Sequence, residues 1–322
     1  MSMKSLSQIV DGFQIPGKYN PGTFRAALKY KPRDDDLFLV TYPKCGTTWT
    51  GQILLLLFQK GEPLSSFLDL FLKFPFLDLS EPIFMEMMPR PGPIKTHLPY
   101  HMVPWSKNSK YIYLTRNPKD CCVSYYYHMK NLPWHAYTGT FDDFFEDFLA
   151  GKTDYGDYFD HLLSWYSHRN DPNVLFLTYE ELKQDIDSAI LKMASFIDDE
   201  KFAELIRTNP DILSNIKKHS SMEEMREFMT KSMGGMATMK PEELMSINVP
   251  DVIKNLFAEQ MCQMKSSDVA EKFGQDMGQF FRKGVTGDWR NHFSEDQSRR
   301  LDEKFAERTK NTDIPSLWKN FM

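Results

Sequence analysis

The chain has 322 residues, of which 41% are hydrophobic, and its formal net charge is −5 at pH 7. A chain of this size can bury the core of one α/β domain, and its acidic balance argues against a nucleic-acid partner, because nucleic-acid-binding domains usually carry a basic surplus. No signal peptide and no membrane-spanning stretch are visible, and the four cysteines match neither a metal site nor a disulfide framework, which predicts a cytoplasmic protein without membrane contact.

The first predicted element of a sheet is the strand Leu37–Tyr42, which leads through a short turn into a Leu-rich helix. The turn reads Thr41-Tyr42-Pro43-Lys44-Cys45-Gly46-Thr47-Thr48-Trp49. A helix N-terminus presents unpaired N–H groups and the positive end of the helix dipole, while Lys44 adds a charge and the two threonines add hydroxyl donors. The turn is therefore predicted to bind the phosphate-like groups of a nucleotide.

This turn differs from the phosphate-binding loop of NTPases. In that loop the lysine follows the last glycine and a hydroxyl next to it binds Mg²⁺, whereas here Lys44 precedes Gly46. No later strand ends in a convincing Mg²⁺-binding carboxylate. We therefore predict a group transfer that requires no metal, with a P-loop kinase as a distant alternative.

Three further strands are predicted at Ile94–Thr96, Tyr111–Thr115 and Val174–Tyr179, with helical patterns between them. Strands that alternate with helices indicate a central parallel sheet flanked by helices, in which ligands gather at the carboxyl ends of the strands. Each predicted strand is followed by a residue suited to chemistry: Lys44, His97, Arg116 and Tyr179.

The helices predicted after these strands have clear signals. Asn117 is expected to cap the helix that contains Ser124, with Pro118 in its first turn. Two further helices are predicted at Asp142–Ala150 and Asp157–Arg169, and their apolar residues are expected to pack in the core.

Methionine is concentrated in the segment 220–284, which holds ten of these residues between Met222 and Met277. Methionine fills irregular gaps and adapts to different surfaces. These side chains are either ordinary core residues of helices or part of a mobile lid formed by 220–284. The whole chain, 1–322, is expected to form one domain that includes this segment.

The last motif is Phe281-Arg282-Lys283-Gly284-Val285-Thr286-Gly287-Asp288-Trp289. Two adjacent cations followed by glycine suit a terminal phosphate, since Arg282 offers a fork of donors and Gly284 allows a close backbone approach. With this motif the chain resembles the cytosolic sulfotransferases, whose corresponding loops read TYPKSGTTW and RKGxxGDW. The landmarks Lys95-Thr96-His97-Leu98-Pro99, Arg116-Asn117-Pro118-Lys119-Asp120, Ser124-Tyr125-Tyr126 and Tyr179-Glu180 also follow the order of that family, so the resemblance covers nearly the whole chain.

The resemblance implies transfer of a sulfuryl group from 3′-phosphoadenosine-5′-phosphosulfate (PAPS) to a hydroxyl, with release of 3′,5′-bisphosphoadenosine (PAP). His97 is the candidate base, because a neutral imidazole accepts a proton and an extended strand points Lys95 and His97 to the same side. Lys44 is predicted to reach the bridging oxygen of the donor, and the family implies that Lys95 assists it.

The resemblance also assigns the residues that bind the donor. The 5′-phosphosulfate is expected at Lys44, Cys45, Gly46, Thr47, Thr48 and Trp49, with Trp49 stacking on adenine. The 3′-phosphate is expected at Arg116, Ser124, Arg282, Lys283 and Gly284, and the adenine at Tyr179, Ser220, Ser221 and Met222. Met222 stands where relatives have an aromatic residue, which predicts a softer contact with adenine.

A second departure from the family is Cys45, which replaces serine or alanine. A thiol at a helix N-terminus beside Lys44 is expected to have a lowered pKa. This predicts an enzyme that thiol oxidation inhibits and that bound nucleotide protects.

The acceptor is the least determined part of the prediction. Phe24 and Phe76 correspond to aromatic residues that hold planar phenols in relatives, and His128 stands where many of them have phenylalanine. This combination favours a phenol, a catechol or a phenolic amine, although His128 could equally be a buried imidazole without substrate contact. A sterol or another aliphatic alcohol stays open.

The dimer motif of the family, KxxxTVxxxE, is degraded in this chain. The aligned stretch runs from Arg290 to Arg299, with Glu295 in place of the central valine and Arg299 in place of the final glutamate. Charge at an apolar contact position opposes association. A monomer or a different dimer is expected.

Overall fold

A computed structural model describes residues 7–132, 135, 137–238, 254 and 281–322. A hairpin of β1 (Ser7–Val10) and β2 (Phe13–Pro16) precedes a parallel sheet made of β3 (Leu37–Thr41), β4 (Pro93–Thr96), β5 (Lys110–Thr115) and β6 (Val174–Thr178). The strand order in this sheet is β4-β3-β5-β6. The predicted α/β fold with a central parallel sheet is therefore confirmed.

Helices flank the sheet on both faces. Those before β6 are α1 (Pro21–Leu28), α2 (Thr47–Phe58), α3 (Phe67–Lys73), α4 (Pro82–Met87), α5 (Pro118–Asn131), α6 (Phe141–Leu149) and α7 (Tyr158–Tyr166). Those after it are α8 (Tyr179–Gln184), α9 (Ile186–Asp198), α10 (Glu204–Thr208), α11 (Pro210–His219), α12 (Met222–Thr238), α13 (Glu295–Thr309) and α14 (Ile314–Leu317). A π-helical turn, Asp199–Ala203, precedes α10, and a 3₁₀ turn, Asp288–Asn291, precedes α13.

The central strands are buried on both faces of the sheet. Side chains alternate along an extended strand, so each strand contributes to both faces. Phe38 and Val40 of β3 pack into one hydrophobic cluster, with Tyr111 and Tyr113 of β5. Their neighbours in the sequence point to the other face of the sheet, where they pack with α2 and α9 in a second cluster. Burial on both faces fixes the register of the sheet, and therefore the positions of its carboxyl ends.

The predicted elements differ from the observed ones by one to three residues at their ends. Asp157 lies outside its helix because it is the N-cap, its side chain accepting from the N–H groups of Phe159 and Asp160. In the same way Tyr179 belongs to α8 and not to β6, because Thr178 caps that helix. A capping residue such as Asp157 resembles a helical one in a sequence, and Tyr179 has the β-propensity that continues the pattern of the strand, which explains the two errors.

The segment predicted as a lid is described only in part. Its beginning forms α12, in which Met225 and Met229 are buried in the core. Residues 239–253 and 255–280 of this segment lie outside the described residues, so the lid stays a prediction. Within the ranges that the structure describes, no helix has both the length and the apolar character needed to span a membrane.

Candidate active site

The turn between β3 and α2 is a strained loop that opens a helix. Lys44 and Gly46 both have a positive φ, 69° and 112°. At Gly46 a Cβ atom would lie 2.8 Å from Cδ2 of Tyr179, so only glycine fits this position. No side chain caps the N-terminus of α2. The first N–H groups of the helix are thus available to an anion.

A single cavity of about 550 Å³ contains this loop and the motif near the C-terminus. The two motifs are more than 230 residues apart in the chain. Among the predicted site residues the following line the cavity: Lys44, Gly46, Thr47, Thr48, Trp49, Phe76, Lys95, His97, Arg116, Ser124, His128, Tyr179, Met222, Arg282, Lys283 and Gly284. The structure therefore brings the two groups of residues predicted to bind anions into one cavity.

Four predicted residues lie outside the lining of this cavity: Cys45, Phe24, Ser220 and Ser221. Phe24 is fully buried in the core and stacks on Phe13, with ring centroids 6.2 Å apart. Ser220 is buried at the end of α11, and the hydroxyl of Ser221 accepts from the N–H of Glu224 at the start of α12. These contacts give the last three side chains a role in packing or capping.

Cys45 does not have the environment that the sequence suggested. Its side chain is buried in the core, with its Sγ atom 3.8 Å from Sγ of Cys121. Burial, reinforced by the contact with Cys121, raises the pKa of the Cys45 thiol well above its ordinary value. The prediction of a thiol with a lowered pKa is therefore wrong, because the side chain turns away from the open helix N-terminus and into the core.

The basic pair near the C-terminus is held by a carboxylate. The guanidinium of Arg282 and the ammonium of Lys283 both donate to Asp288, the latter at 2.8 Å. Burial acts to raise the pKa of Asp288, but hydrogen bonds from Lys283, Asn291 and Arg282 outweigh it and hold the pKa below its usual range. The two cations are thus fixed at the cavity before any ligand binds.

The loop that carries this pair is anchored to α5. The carboxylate of Asp120 accepts from the N–H of Gly287 at 2.6 Å and from that of Trp289 at 3.1 Å. Arg116, just before the same helix, donates to the carbonyl of Val285 at 2.9 Å, and its guanidinium lies 4.4 Å from the ring centroid of Tyr179. These bonds join the ends of β5 and β6 to the basic pair.

Trp49 and Tyr179 form an aromatic edge of the cavity. Their ring centroids are 5.3 Å apart in an edge-to-face arrangement, and both rings line the cavity with Met222. A flat heterocycle can stack in such a place.

His97 is held as a neutral imidazole in one tautomer. Its Nδ1 lies 2.8 Å from the carbonyl oxygen of Thr41, and a carbonyl only accepts, so Nδ1 carries the proton. Burial lowers the pKa of His97 to about 3, and the charges of Lys95 and Lys44 act in the same direction. The unprotonated Nε2 is therefore the atom that can accept a proton in the cavity.

The backbone of His97 is fixed by a residue that the sequence did not reveal. Asp78 accepts from the N–H of His97 at 2.9 Å and from the hydroxyl of Thr96 at 2.5 Å. On the other side, the ring of His161 donates from Nε2 to the carbonyl of His97 at 3.2 Å. Asp78 lies in a loop between α3 and α4 without a motif, so its part in the site is visible only in the fold.

Two lysines flank the imidazole. Burial, with the charge of Arg116, lowers the pKa of Lys44 to about 7. Burial likewise lowers the pKa of Lys95 to about 8, and the Asp78 carboxylate opposes this shift. Both side chains line the cavity with His97. An anionic ligand bound there would favour the charged form of each lysine, next to the possible base.

A pair of histidines lies beside Lys44. Nδ1 of His128 is 3.4 Å from Nζ of Lys44, and Nε2 of His128 is 3.1 Å from Nε2 of His135. Burial lowers the pKa of both imidazoles, to about 4 in His135, and the charge of Lys44 adds to the effect. His135 was not predicted from the sequence, because no motif marks it.

The end of the cavity near His97 is aromatic. Phe76 and Tyr155 contact the imidazole edge-on, with ring centroids 5.0 Å and 5.1 Å from it. Tyr19 packs against Phe76 in turn and also lines the cavity. Tyr19 and Tyr155 were missed in the sequence, since they come from loops far from the motifs.

Comparisons with known proteins give matches over most of the chain. A sequence model described as the sulfotransferase domain matches residues 34–246 and 239–313. Human sulfotransferase 1E1 is 31% identical over 295 residues, covering 88% of this chain and 87% of the relative. A rabbit protein named amine sulfotransferase is 32% identical over 294 residues, covering 90% and 85% of the two chains.

Solved structures with the same fold include nucleotide complexes. Mouse sulfotransferase SULT7A1, solved with PAP, matches with a TM-score of 0.69 at 29% identity, covering 99% of this chain and 100% of that chain. A retinol dehydratase solved with retinol and PAP matches with a TM-score of 0.68 at 20% identity, covering 97% and 94%. At that lower identity the second comparison shows a shared fold only.

Proposed function

The chain belongs to the sulfotransferase family, and from this premise we propose that it sulfates the hydroxyl of a small phenolic acceptor with His97 as the base. It is a PAPS-dependent sulfotransferase that releases PAP. One observation supports the proposal above all. Nδ1 of His97 carries the proton and donates it to the Thr41 carbonyl, so Nε2 is unprotonated inside the cavity.

The donor is proposed to bind across the two groups of cations. The 5′-phosphosulfate would lie at the start of α2, where Gly46, Thr47 and Thr48 offer N–H and hydroxyl donors. The 3′-phosphate would lie between Arg116, Ser124, Arg282, Lys283 and Gly284 at the other end. Adenine would then lie between Trp49, Tyr179 and Met222. Side-chain contacts with donor or acceptor are not supported for four predicted residues. Phe24, Cys45 and Ser220 are buried, and Ser221 caps a helix.

The proposed reaction is an in-line displacement at sulfur. The hydroxyl oxygen of the acceptor bonds to sulfur while its proton passes to Nε2 of His97, and the bond from sulfur to the bridging oxygen breaks. Charge develops on that oxygen, and the ammonium groups of Lys44 and Lys95 are available to stabilise it. Burial of His97 keeps the imidazole in the form that accepts a proton.

A phenolic acceptor is favoured by the walls near His97. Phe76, Tyr19 and Tyr155 supply flat surfaces that suit an aromatic ring, and Leu79 adds an apolar edge. A hydroxyl on such a ring would face the imidazole. A sterol or an aliphatic alcohol is the alternative to be tested beside it.

Transfer of labelled sulfate from PAPS tests this proposal. We expect a simple phenol such as 2-naphthol to be sulfated, with an unchanged rate in EDTA, because all the proposed chemistry comes from side chains. A 3-hydroxysteroid should react more slowly at equal concentration. A rate that EDTA abolishes, or a steroid that reacts faster than every phenol tried, would contradict the proposal.

The family dimer is not expected for this chain. Glu295 lies in the first turn of α13, where Ser294 caps the helix, and exposed Arg299 forms ion pairs with Asp296 and Glu303. These charges would have to be desolvated in an apolar contact. Light scattering at micromolar concentration should give the mass of a monomer, and replacement of Glu295 by valine with Arg299 by glutamate should favour association. A wild-type dimer that these two changes do not affect would use another interface, which is the second possibility given by the sequence. A wild-type dimer that the two changes strengthen would already use the family interface and would contradict the proposal.

We also propose that the protein works in the cytoplasm on small molecules, with neither nucleic acid nor membrane as a partner. The family membership and the acidic net charge support this proposal. The distribution of a tagged chain between the cytosolic and membrane fractions of a cell tests it.

A further inference from the structure

The charges that line the cavity are of one sign. Six cationic side chains contribute to the lining: Lys18, Lys44, Lys95, Arg116, Arg282 and Lys283. Within the described part of the chain, no aspartate or glutamate contributes to it. An enclosed surface with this composition attracts anions and repels cations.

The donor offsets only part of this charge. Its 3′-phosphate and its phosphosulfate each carry about two negative charges near neutral pH. In the proposed binding mode these face Arg116, Arg282 and Lys283 at one end and Lys44 at the other. Lys95 lies 5.0 Å from the ring centroid of Phe76, so its charge borders the acceptor as well as the donor, and the exposed Lys18 faces no phosphate in this binding mode.

Carboxylates close to the lining are occupied elsewhere, and one of them, Asp288, pairs with Arg282 and Lys283 at the donor end. Asp78 accepts from Thr96 and His97 behind the imidazole, and burial raises its pKa to about 6. Asp154 accepts from the hydroxyl of Ser7, and burial raises its pKa to about 6 as well. Neither side chain lines the cavity, so neither can pair with a cationic acceptor there.

The polar groups at the acceptor end are also unsuited to a cation. His128 and His135 contact each other and Lys44, and a cation placed beside them would meet the charge of that lysine. Lys18 is exposed at the edge of the cavity beside Tyr19, and its charge contributes to the lowered pKa of His135. The field of Lys18 therefore reaches the space that an acceptor would occupy.

From these charges we propose that the acceptor site selects against phenols with a cationic side chain and accepts neutral ones and those with a carboxylate. The proposal rests on the proposed sulfation of phenols. It narrows the range of expected acceptors, because it excludes phenolic amines. Lys18 is inferred to be a specificity-determining residue at the mouth of the site.

Three phenols with equal ring and chain but different charge test this selection: tyramine, tyrosol and 3-(4-hydroxyphenyl)propionate. With PAPS near neutral pH, kcat/KM for tyramine should be lower than that for tyrosol by about tenfold or more, as expected for one unbalanced charge several ångströms away. The propionate should react as well as tyrosol or better. Equal values for all three, or a preference for tyramine, would overturn the inference while leaving the sulfation of phenols intact. If none of the three is sulfated, the proposed function itself fails.

A variant of Lys18 tests whether that residue contributes. Lys18→Glu should narrow the difference between tyramine and tyrosol or reverse it, and should slow the reaction of the propionate. Lys31→Glu is the matched control, because Lys31 is exposed, lies outside the cavity lining and undergoes the same change of charge. An identical effect of both variants would show that net charge and not position is responsible, and would remove Lys18 from the proposal.

Discussion

Replacement of His97 by asparagine is expected to lower kcat by about a hundredfold to ten-thousandfold, the usual contribution of a general base. The asparagine amide can still donate to the carbonyl of Thr41, as Nδ1 of His97 does now, but it has no atom that replaces the basic Nε2. The variant should therefore keep its fold and its affinity for PAP. Initial rates with a phenol and calorimetric titration with PAP measure the two properties separately.

The control for this experiment is His101→Asn, at an exposed histidine outside the cavity lining. It should have the activity of the wild type. One outcome contradicts the proposed role of His97, and a second would attribute the lost rate to a disturbed site. If His97→Asn keeps most of the wild-type kcat, the imidazole only positions the acceptor; if it loses PAP affinity as well, the change has disturbed the anion-binding loops and the loss of rate cannot be assigned to the base.

The fold could be predicted from the sequence because its main signals are local. Apolar strands alternate with capped helices, and the strand after each helix must be parallel to the one before it. Gly46 could be placed for a similar reason, because it belongs to a short motif between a strand and a helix, whereas its contact with the distant Tyr179 is visible only in the fold. Such features depend on a few neighbouring residues and on the period of the hydrophobic pattern.

The rest of the site depends on contacts between distant segments. Asp78 reaches His97 only because its loop packs beside β4, and Asp288 holds Arg282 and Lys283 only because the last loop folds back onto α5. Cys45, in contrast, was predicted to belong to the site but does not line the cavity. Its position in the motif suggested contact with the ligand, but its side chain is buried in the core beside Cys121. Sequence spacing indicates which residues are near a site but not which way each side chain points.

Lys44 should make PAP binding depend on pH. In the unliganded cavity burial and the charge of Arg116 lower the pKa of Lys44 to about 7, whereas the phosphates of PAP would favour the charged ammonium and raise that pKa. Below about pH 7 the lysine is charged in both states, so it contributes no pH dependence there, and only the second ionisation of the phosphates, at about pH 6, changes the affinity. Above about pH 7 the free protein has lost a proton that the complex needs, and affinity should fall about tenfold per pH unit.

The groups that face Lys44 should not produce this slope. Arg116 stays protonated, burial keeps the pKa of His128 below its ordinary value, and burial keeps the pKa of the Cys45 thiol above its own. Lys95 is the exception, since its pKa is lowered to about 8 and it could add a second titration at higher pH.

Calorimetric titration of PAP from pH 6 to pH 9, in buffers of different ionisation enthalpy, measures both the affinity and the proton uptake. Lys44→Met should bind PAP more weakly at pH 6 and should lose the slope between about pH 7 and pH 8, since a thioether carries no proton to exchange. Lys31→Met, outside the cavity, should behave like the wild type. Lys95→Met should keep the slope near pH 7 and lose only the part above about pH 8. If Lys44→Met retains the full slope near pH 7, another group takes up the proton, and the ammonium of Lys44 is already charged when the nucleotide arrives.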